Sequence, residues 1–253
     1  MPIGLMSAMQ EENSKLIAEL GEDHHVIDKG MRRYHVGSLW EIPVVVVFSR
    51  WGKVAAATTA TCLITEFNVG EIIFTGVAGG ADPEVRVGDV VVATGLCQHD
   101  MDARPLFPRH EIPLIGRSTF QSDISRRVHA VEATKSFFLN DLVSQIDRSV
   151  FAEFGIVDPQ VIEGEIASGD KFIAATAEIK ELKSRLPRTS CVEMEGAAVA
   201  QVCYEYDIPW TVIRTISDAA NEAAVIDFPK FVTAVASTYS YGILKQLFQR
   251  LRT

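Results

Sequence analysis

Apolar positions along the chain fall into two alternating rhythms. The runs "PIGLM" and "IPVVVVF" are short, continuous and β-branched, as buried strands are, and "YHVGSLW" pairs with the second of them as a hairpin. Between them, "EENSKLIAEL" places Leu16, Ile17 and Leu20 at helical spacing, and "VAAATTATCLITEF" continues as a helix. "EIIFTGVAGG" reads as a buried strand running into a glycine-rich turn, and "VRVGDVVVATGL" supplies a further strand. The segment "SDISRRVHAVEATKSFF" is helical, "VIEGEIASGDKFI" is strand then turn, and "TAEIKELKSRL" is an amphipathic helix. After "SCVEME" come a helix over "GAAVAQVCYEY", the strand "WTVIRTIS" and a last helix of roughly twenty residues from Asp227. This alternation predicts an α/β fold with a largely parallel central sheet.

One stretch has no period. Residues 99–116, "HDMDARPLFPRHEIPLIG", carry Pro105, Pro108 and Pro113 and read as a long surface loop, a kind that is usually functional or covers a partner. No internal repeat or linker composition divides the rest, so residues 1–253 are expected to form one domain.

Composition narrows the function classes. With 47% hydrophobic and 23% charged residues the chain reads as an ordinary soluble protein. A net charge of −9 argues against a nucleic-acid or anionic-membrane surface, which needs a positive field. The start lacks a basic segment followed by a long apolar one, and no run of about eighteen apolar residues occurs, so a cytoplasmic location is expected. Cys62, Cys97, Cys191 and Cys203 are widely spaced within apolar runs, which predicts buried free thiols rather than a metal or redox pair.

In open α/β sheets, ligands bind beyond the carboxyl ends of strands, and acids recur at those ends here. Glu11 and Glu12 follow the first strand, "EME" follows Ser190, and "SDAANE" follows "WTVIRTI". Glu193 and Glu195 are two apart: on a strand both would face one ligand, whereas on a helix they would diverge. Each acid also has a plainer reading. An acid in a first helical turn complements the helix dipole, and Ser217 or Asp218 could cap a helix. "TGVAGG" permits close backbone approach but lacks the lysine of a phosphate-binding P-loop and does not match G-x-G-x-x-G.

Taken in order, "IGLMSAMQEE", "WGKVAAA", "TGVAGG", "VGDVVVA", "SGDKFI", "VEMEGAAVAQVC" and "VIRTISDAAN" closely resemble the 5'-methylthioadenosine/S-adenosylhomocysteine nucleosidases of the nucleoside phosphorylase superfamily. The resemblance implies a single-domain nucleoside phosphorylase-like fold with a mixed central sheet flanked by helices, a homodimer, and hydrolysis of the bond between C1' of a ribosyl group and N9 of adenine. It implies no cofactor and no metal. By motif match, Glu195 accepts hydrogen bonds from the ribose 2' and 3' hydroxyls, Met194 packs beneath the sugar, and Glu193 lies toward the water side. Asp218 donates a proton toward adenine N7, oriented by Ser217, and Glu12 activates the attacking water. Phe172 stacks on adenine, and Ile173 offers it backbone groups. Ala8, Met9, Trp51 and Val77 complete the substrate pocket. Arg214 holds Glu12 or Glu193, or is simply an internal ion pair, and Phe107 reaches from the 99–116 loop of a partner subunit over the 5' group, unless it is an ordinary apolar dimer contact.

Related phosphorylases carry an arginine just before the glycine-rich segment and another in an early loop. This chain has "IIFTGVAGG" and "SAMQEE" there, which favours water over phosphate as nucleophile. Trp51 and Val77 depart from the usual small aliphatic residue and serine, and Arg104, Arg109 and His110 lie in the divergent loop, leaving the 5' substituent open among methylthio, homocysteinyl, deoxy and hydroxyl. The alternatives are an adenosine-preferring nucleosidase, a purine nucleoside phosphorylase with a rearranged anion site, and a non-catalytic nucleoside sensor. A sensor would have no use for Glu12 and Asp218 together.

Overall fold

Val44, Val45, Val46 and Val47 are all buried, so the uninterrupted apolar run around them is an interior strand covered on both faces. It belongs to a computed structural model that describes residues 1–21, 23–219 and 224–252. In chain order the elements are β1 (Ile3–Ser7), α1 (Gln10–Glu19), β2 (His25–Lys29), β3 (Arg32–Leu39), β4 (Ile42–Phe48), α2 (Lys53–Phe67), β5 (Glu71–Gly80), β6 (Val90–Gln98) and β7 (Phe120–Gln121). There follow α3 (Ile124–Asn140), α4 (Leu142–Gln145), α5 (Arg148–Phe154), β8 (Val161–Ser168), α6 (Thr176–Arg185), β9 (Thr189–Glu193), α7 (Gly196–Glu205), β10 (Trp210–Asp218), α8 (Ala224–Phe231) and α9 (Ser237–Leu251).

The sheet is mixed, not largely parallel. β1 lies parallel to β4 and β5, β5 to β10, β6 to β8, and β8 to β9. Hairpins β2–β3 and β3–β4 and the pairings β5–β9, β6–β10 and β6–β7 are antiparallel. Because β10 pairs with both β5 and β6, and β9 returns to β5, five strands close on one another while β1, β4, β3 and β2 extend the sheet from β5. Alternating strands and helices in sequence hid this closure, which depends on pairings between distant residues.

A second correction concerns "TGVAGG". It is no turn: the strand runs through Gly80, and Gly79 and Gly80 pair antiparallel with Val192 and Cys191. A Cβ on Gly80 would lie 3.2 Å from the Val85 carbonyl, so glycine is what allows the backbones to approach so closely. A third correction is the last helix. It begins at Ala224 with Pro229 inside α8, passes through a π-helical segment at Val232–Ala236, and ends as α9. Cys62 is half-buried, whereas Cys97, Cys191 and Cys203 are buried as expected; all four are free.

Helices α2 and α7 pack together on one face of the sheet, while α1, α3 and α9 pack on the other. The facing helix positions explain this. Ala56, Ala60 and Leu63 of α2 meet Ala197, Ala198, Ala200 and Cys203 of α7 in the cluster that holds Phe74 and Ile72. Full burial of a side chain such as Leu63 or Phe74 is worth about 1.5–3 kcal/mol. The small residues of α7 let it lie against the sheet: a Cβ on Gly196 would come within 2.6 Å of Leu96 Cδ2. That closeness places the α7 N-terminus against the carboxyl end of β9. Among the described residues no helix is long and apolar enough to cross a membrane.

Candidate active site

The carboxyl ends of β1, β5, β9 and β10 converge on one cleft. Of the residues singled out from sequence, Ala8, Met9, Trp51, Val77, Phe172, Ile173, Glu193, Met194, Glu195, Arg214, Ser217 and Asp218 line it. Glu12 does not line the cleft but lies directly beneath it. Phe107 lies outside it, half-buried on the 99–116 loop.

The two acids of "VEMEG" have different surroundings. Glu193 closes β9 and accepts hydrogen bonds from the Glu195 and Gly196 amides, at 3.2 and 2.8 Å, at the N-terminus of α7. It also accepts from Ser168 Oγ, and its Oε2 forms a buried ion pair with Arg214 Nη2 at 2.7 Å. Arg214 further donates to the Phe74 and Ile213 carbonyls and stacks over the Phe74 ring. Of the partners expected for Arg214, Glu193 is the one it bonds, and the helix-terminus reading of the acid pair applies to Glu193. Glu195 points into the cleft, buried, and accepts from the Gly52 amide at 2.7 Å. Burial, then the nearby Glu193 charge, push its carboxyl up to about 8.

Glu12, wholly buried at the start of α1, accepts from the Ala8 and Met9 amides through a single oxygen, Oε2, at 3.0 Å each. Its other oxygen, Oε1, accepts no hydrogen bond from the protein. A Cβ on Gly76 would stand 3.2 Å from that oxygen and 3.3 Å from Arg214 Nη1, so the bare glycine of the cleft floor is what lets both groups lie so close beneath it. Burial pushes Glu12 up to about 7, against the pull of the two amides and of Arg214. A carboxyl with that affinity is poised to take a proton near neutral pH.

Across the cleft, Ser217 Oγ donates to Asp218 Oδ2 at 2.7 Å and lies 3.4 Å from the Ala78 carbonyl. Asp218 is the last residue of β10, and its neighbours at 220–223 lie outside the described residues. Among the described residues two cations line the cleft, and both are engaged: Arg214 as above, and Lys171 at the rim with Glu178. Among the described residues there is no cluster of His, Cys, Asp or Glu suited to a metal ion.

Residues 2–249 match the family model of the Phosphorylase superfamily. The chain belongs to this superfamily. It is 32% identical to a 5'-methylthioadenosine/S-adenosylhomocysteine nucleosidase of Shewanella frigidimarina, over 99% of this chain and all of that one. It is 33% identical to an aminodeoxyfutalosine nucleosidase of Helicobacter pylori, over 98% and 99% of the two chains. The structure of the S. pneumoniae 5'-methylthioadenosine/S-adenosylhomocysteine nucleosidase with the transition-state inhibitor MT-ImmA superposes with a TM-score of 0.84, at 32% identity, covering 99% of this chain and 100% of that one.

For this superfamily member the sequence reading missed Phe228. From α8 it reaches the cleft and meets Trp51 and Phe172 edge-on, with ring centroids 6.4 and 6.3 Å apart. Its neighbourhood in sequence resembles any amphipathic helix, so only the tertiary fold reveals the aromatic rim. The loop arginines turn back on their own segment: Arg104 and Arg109 both pair with Asp102, and His110 is buried beside the Gln98 carbonyl.

Proposed function

We propose that the protein is an adenine-releasing nucleoside hydrolase acting on 5'-methylthioadenosine and S-adenosylhomocysteine. The observation that carries this reading is Glu12: a buried carboxylate raised to about 7, with one oxygen that accepts no hydrogen bond from the protein beneath the glycine floor of the cleft, suits a base that activates water. The same charge would repel a phosphate dianion, and the arginine nearest to it is already paired with Glu193.

The other groups then take consistent roles. Glu195 accepts from the two ribose hydroxyls over Met194, and these two donors favour its ionised form against the burial that pushes its carboxyl up. Phe172 and Ile173 hold adenine, and Asp218, kept in place by the Ser217 hydroxyl, delivers the proton that neutralises the departing base. Ala8, Met9, Val77 and Trp51 complete the walls, while Arg214 positions Glu193 without touching substrate. The breaking bond leaves cationic character at the sugar, which Glu195 and Glu12 face as anions.

We further propose a homodimer whose 99–116 loop closes the partner's cleft over the 5' group, with Phe107 as the covering residue. Leu106 and Leu114 are 84% and 93% exposed in the isolated chain, apolar area that such a contact would bury. The four free thiols suit a reducing, cytoplasmic setting.

The relatives are named for different 5' groups, so the experiment is a panel. Adenine release is compared for methylthioadenosine, S-adenosylhomocysteine, 5'-deoxyadenosine, adenosine and aminodeoxyfutalosine. Preference for methylthioadenosine supports the reading. Turnover of adenosine alone would move the protein to the adenosine-specific alternative, and no turnover of any member would make it a binder.

A further inference from the structure

Two segments form the jaws of the cleft: the turn at 51–53, which carries Trp51, and the loop at 169–173, which carries Phe172 and Ile173. Apart from Lys53, which opens α2, neither jaw belongs to a regular element, yet Gly52 N must sit 2.7 Å from Glu195 Oε1. The side chains that join the jaws lie outside the cleft. Asp170 Oδ1 accepts from the Lys53 amide at 2.8 Å. Asp100, two residues past the end of β6, accepts from the Asp170 amide through Oδ2 at 2.9 Å and from Lys53 Nζ through Oδ1 at 2.6 Å. Lys53 Nζ also donates to Gln98 Oε1 at 3.0 Å, on the strand itself. The jaws thus meet on one carboxylate anchored to the sheet. Gly52 has φ +92°, and a Cβ there would stand 3.0 Å from Asp170 Oδ1, so the turn fits this partner only as glycine.

We propose that Asp100 is a positioning residue: by tying Lys53 to Asp170 it locks the two jaws together and holds the Gly52 amide on the Glu195 carboxylate. Asp100 itself touches no residue assigned to substrate. Partial burial pushes its carboxyl up, but the Lys53 ammonium and the Asp170 amide outweigh this and leave it below the usual range, so it is ionised wherever the clamp operates. The charged neighbours of Glu195 are Glu193 and Glu12, which oppose its ionisation, and Arg214, which favours it. The Gly52 N–H bond adds to the favourable side, and loosening it would make the carboxyl harder to ionise.

The test uses Asp100→Ala, Asp100→Asn and Lys53→Met. The Asp100 side chain is 31% exposed, so these changes leave the core intact. The nucleosidase reading supplies only the substrate: kcat/KM for ribosyl nucleosides is expected to fall roughly fivefold to tenfold in Asp100→Ala, mostly through KM, the size of a weakened hydrogen bond to a charged group. The loss should be smaller for 2'-deoxyribosyl substrates, intermediate in Asp100→Asn, and no larger in Asp100→Asn/Lys53→Met than in Lys53→Met alone. Independently of turnover, carboxyl ¹³C NMR of the Glu195 resonance, assigned with Glu195→Gln, should show a higher titration midpoint in Asp100→Ala than in the unaltered protein. An unchanged midpoint in folded Asp100→Ala overturns the proposal whether or not any nucleoside is cleaved. Equal losses on ribosyl and deoxyribosyl substrates would reduce Asp100 to a general stabiliser. A shifted midpoint in a protein that cleaves nothing would support the clamp and sink the nucleosidase reading instead.

Discussion

Replacing Glu12 by Gln should abolish activity and stabilise the protein, the second effect only at high pH. Burial raises the Glu12 carboxyl from an ordinary 4.5 to about 7. Between those values the unfolded chain has released the proton while the folded one keeps it, so stability falls as pH rises through that window. At 1.36 kcal/mol per unit the total is roughly 3 kcal/mol, absent below the unfolded value and complete above the folded one. Glutamine carries no such cost. Because Ala8 and Met9 both donate to the same oxygen, Oε2, the amide carbonyl can take its place and keep both bonds. The amide nitrogen then faces Arg214, a penalty of the same size at either pH. The assay is urea unfolding of both proteins at matched concentration, near pH 5 and near pH 8.5. Glu12→Gln is expected to gain roughly 2–3 kcal/mol more, relative to the parent, at the higher pH, while adenine release falls by at least ~10². A stability difference independent of pH would refute the claim that Glu12 is a raised, uncompensated base.

Asp218→Asn keeps the Ser217 contact but has no acidic proton, so substrate should bind while turnover falls at least ~10², whereas a mere turn or capping residue would tolerate the change; near-normal adenine release by the folded variant rejects the acid role. Arg214→Met leaves Glu193 buried and unpaired and should cost about 3–5 kcal/mol in unfolding experiments, most of it recovered when Glu193→Leu is added; additive losses would contradict the pairing. Light scattering at assay concentration should give the mass of two chains, and a fully active single chain would remove the proposed role of the 99–116 loop.

Much of the site was legible because its residues are short-range signals at strand ends. "VEMEG" and "RTISD" could be read as strand termini carrying acids, and the glycine-rich run as a place of close approach. What the pattern could not reveal depends on pairing between distant segments. The return of β9 to β5 makes Gly79 and Gly80 strand residues, where local chemistry suggests a turn. The division of labour between Glu193 and Glu195 was equally hidden, since it is decided by Arg214 from β10 and by Gly52 from the turn before α2. Phe228 and the Asp100 clamp have no local signature at all: one is an apolar residue on an amphipathic helix, the other a carboxylate in a proline-rich loop. Helices α4 and α5 and the edge strand β2 went unread for a related reason, being too short to establish a period.

The central claim is that water, activated by Glu12, attacks the sugar in a cleft that, among the described residues, offers phosphate no free cation. The purified protein should therefore be given 5'-methylthioadenosine in phosphate-free buffer and again with added phosphate, with the sugar product followed by phosphorus NMR and mass spectrometry. Equal rates of adenine release and free 5-methylthioribose in both conditions are the predicted result. Release that requires phosphate and yields a sugar 1-phosphate would contradict the account, because a buried ionised Glu12 and a paired Arg214 leave that anion no place to bind.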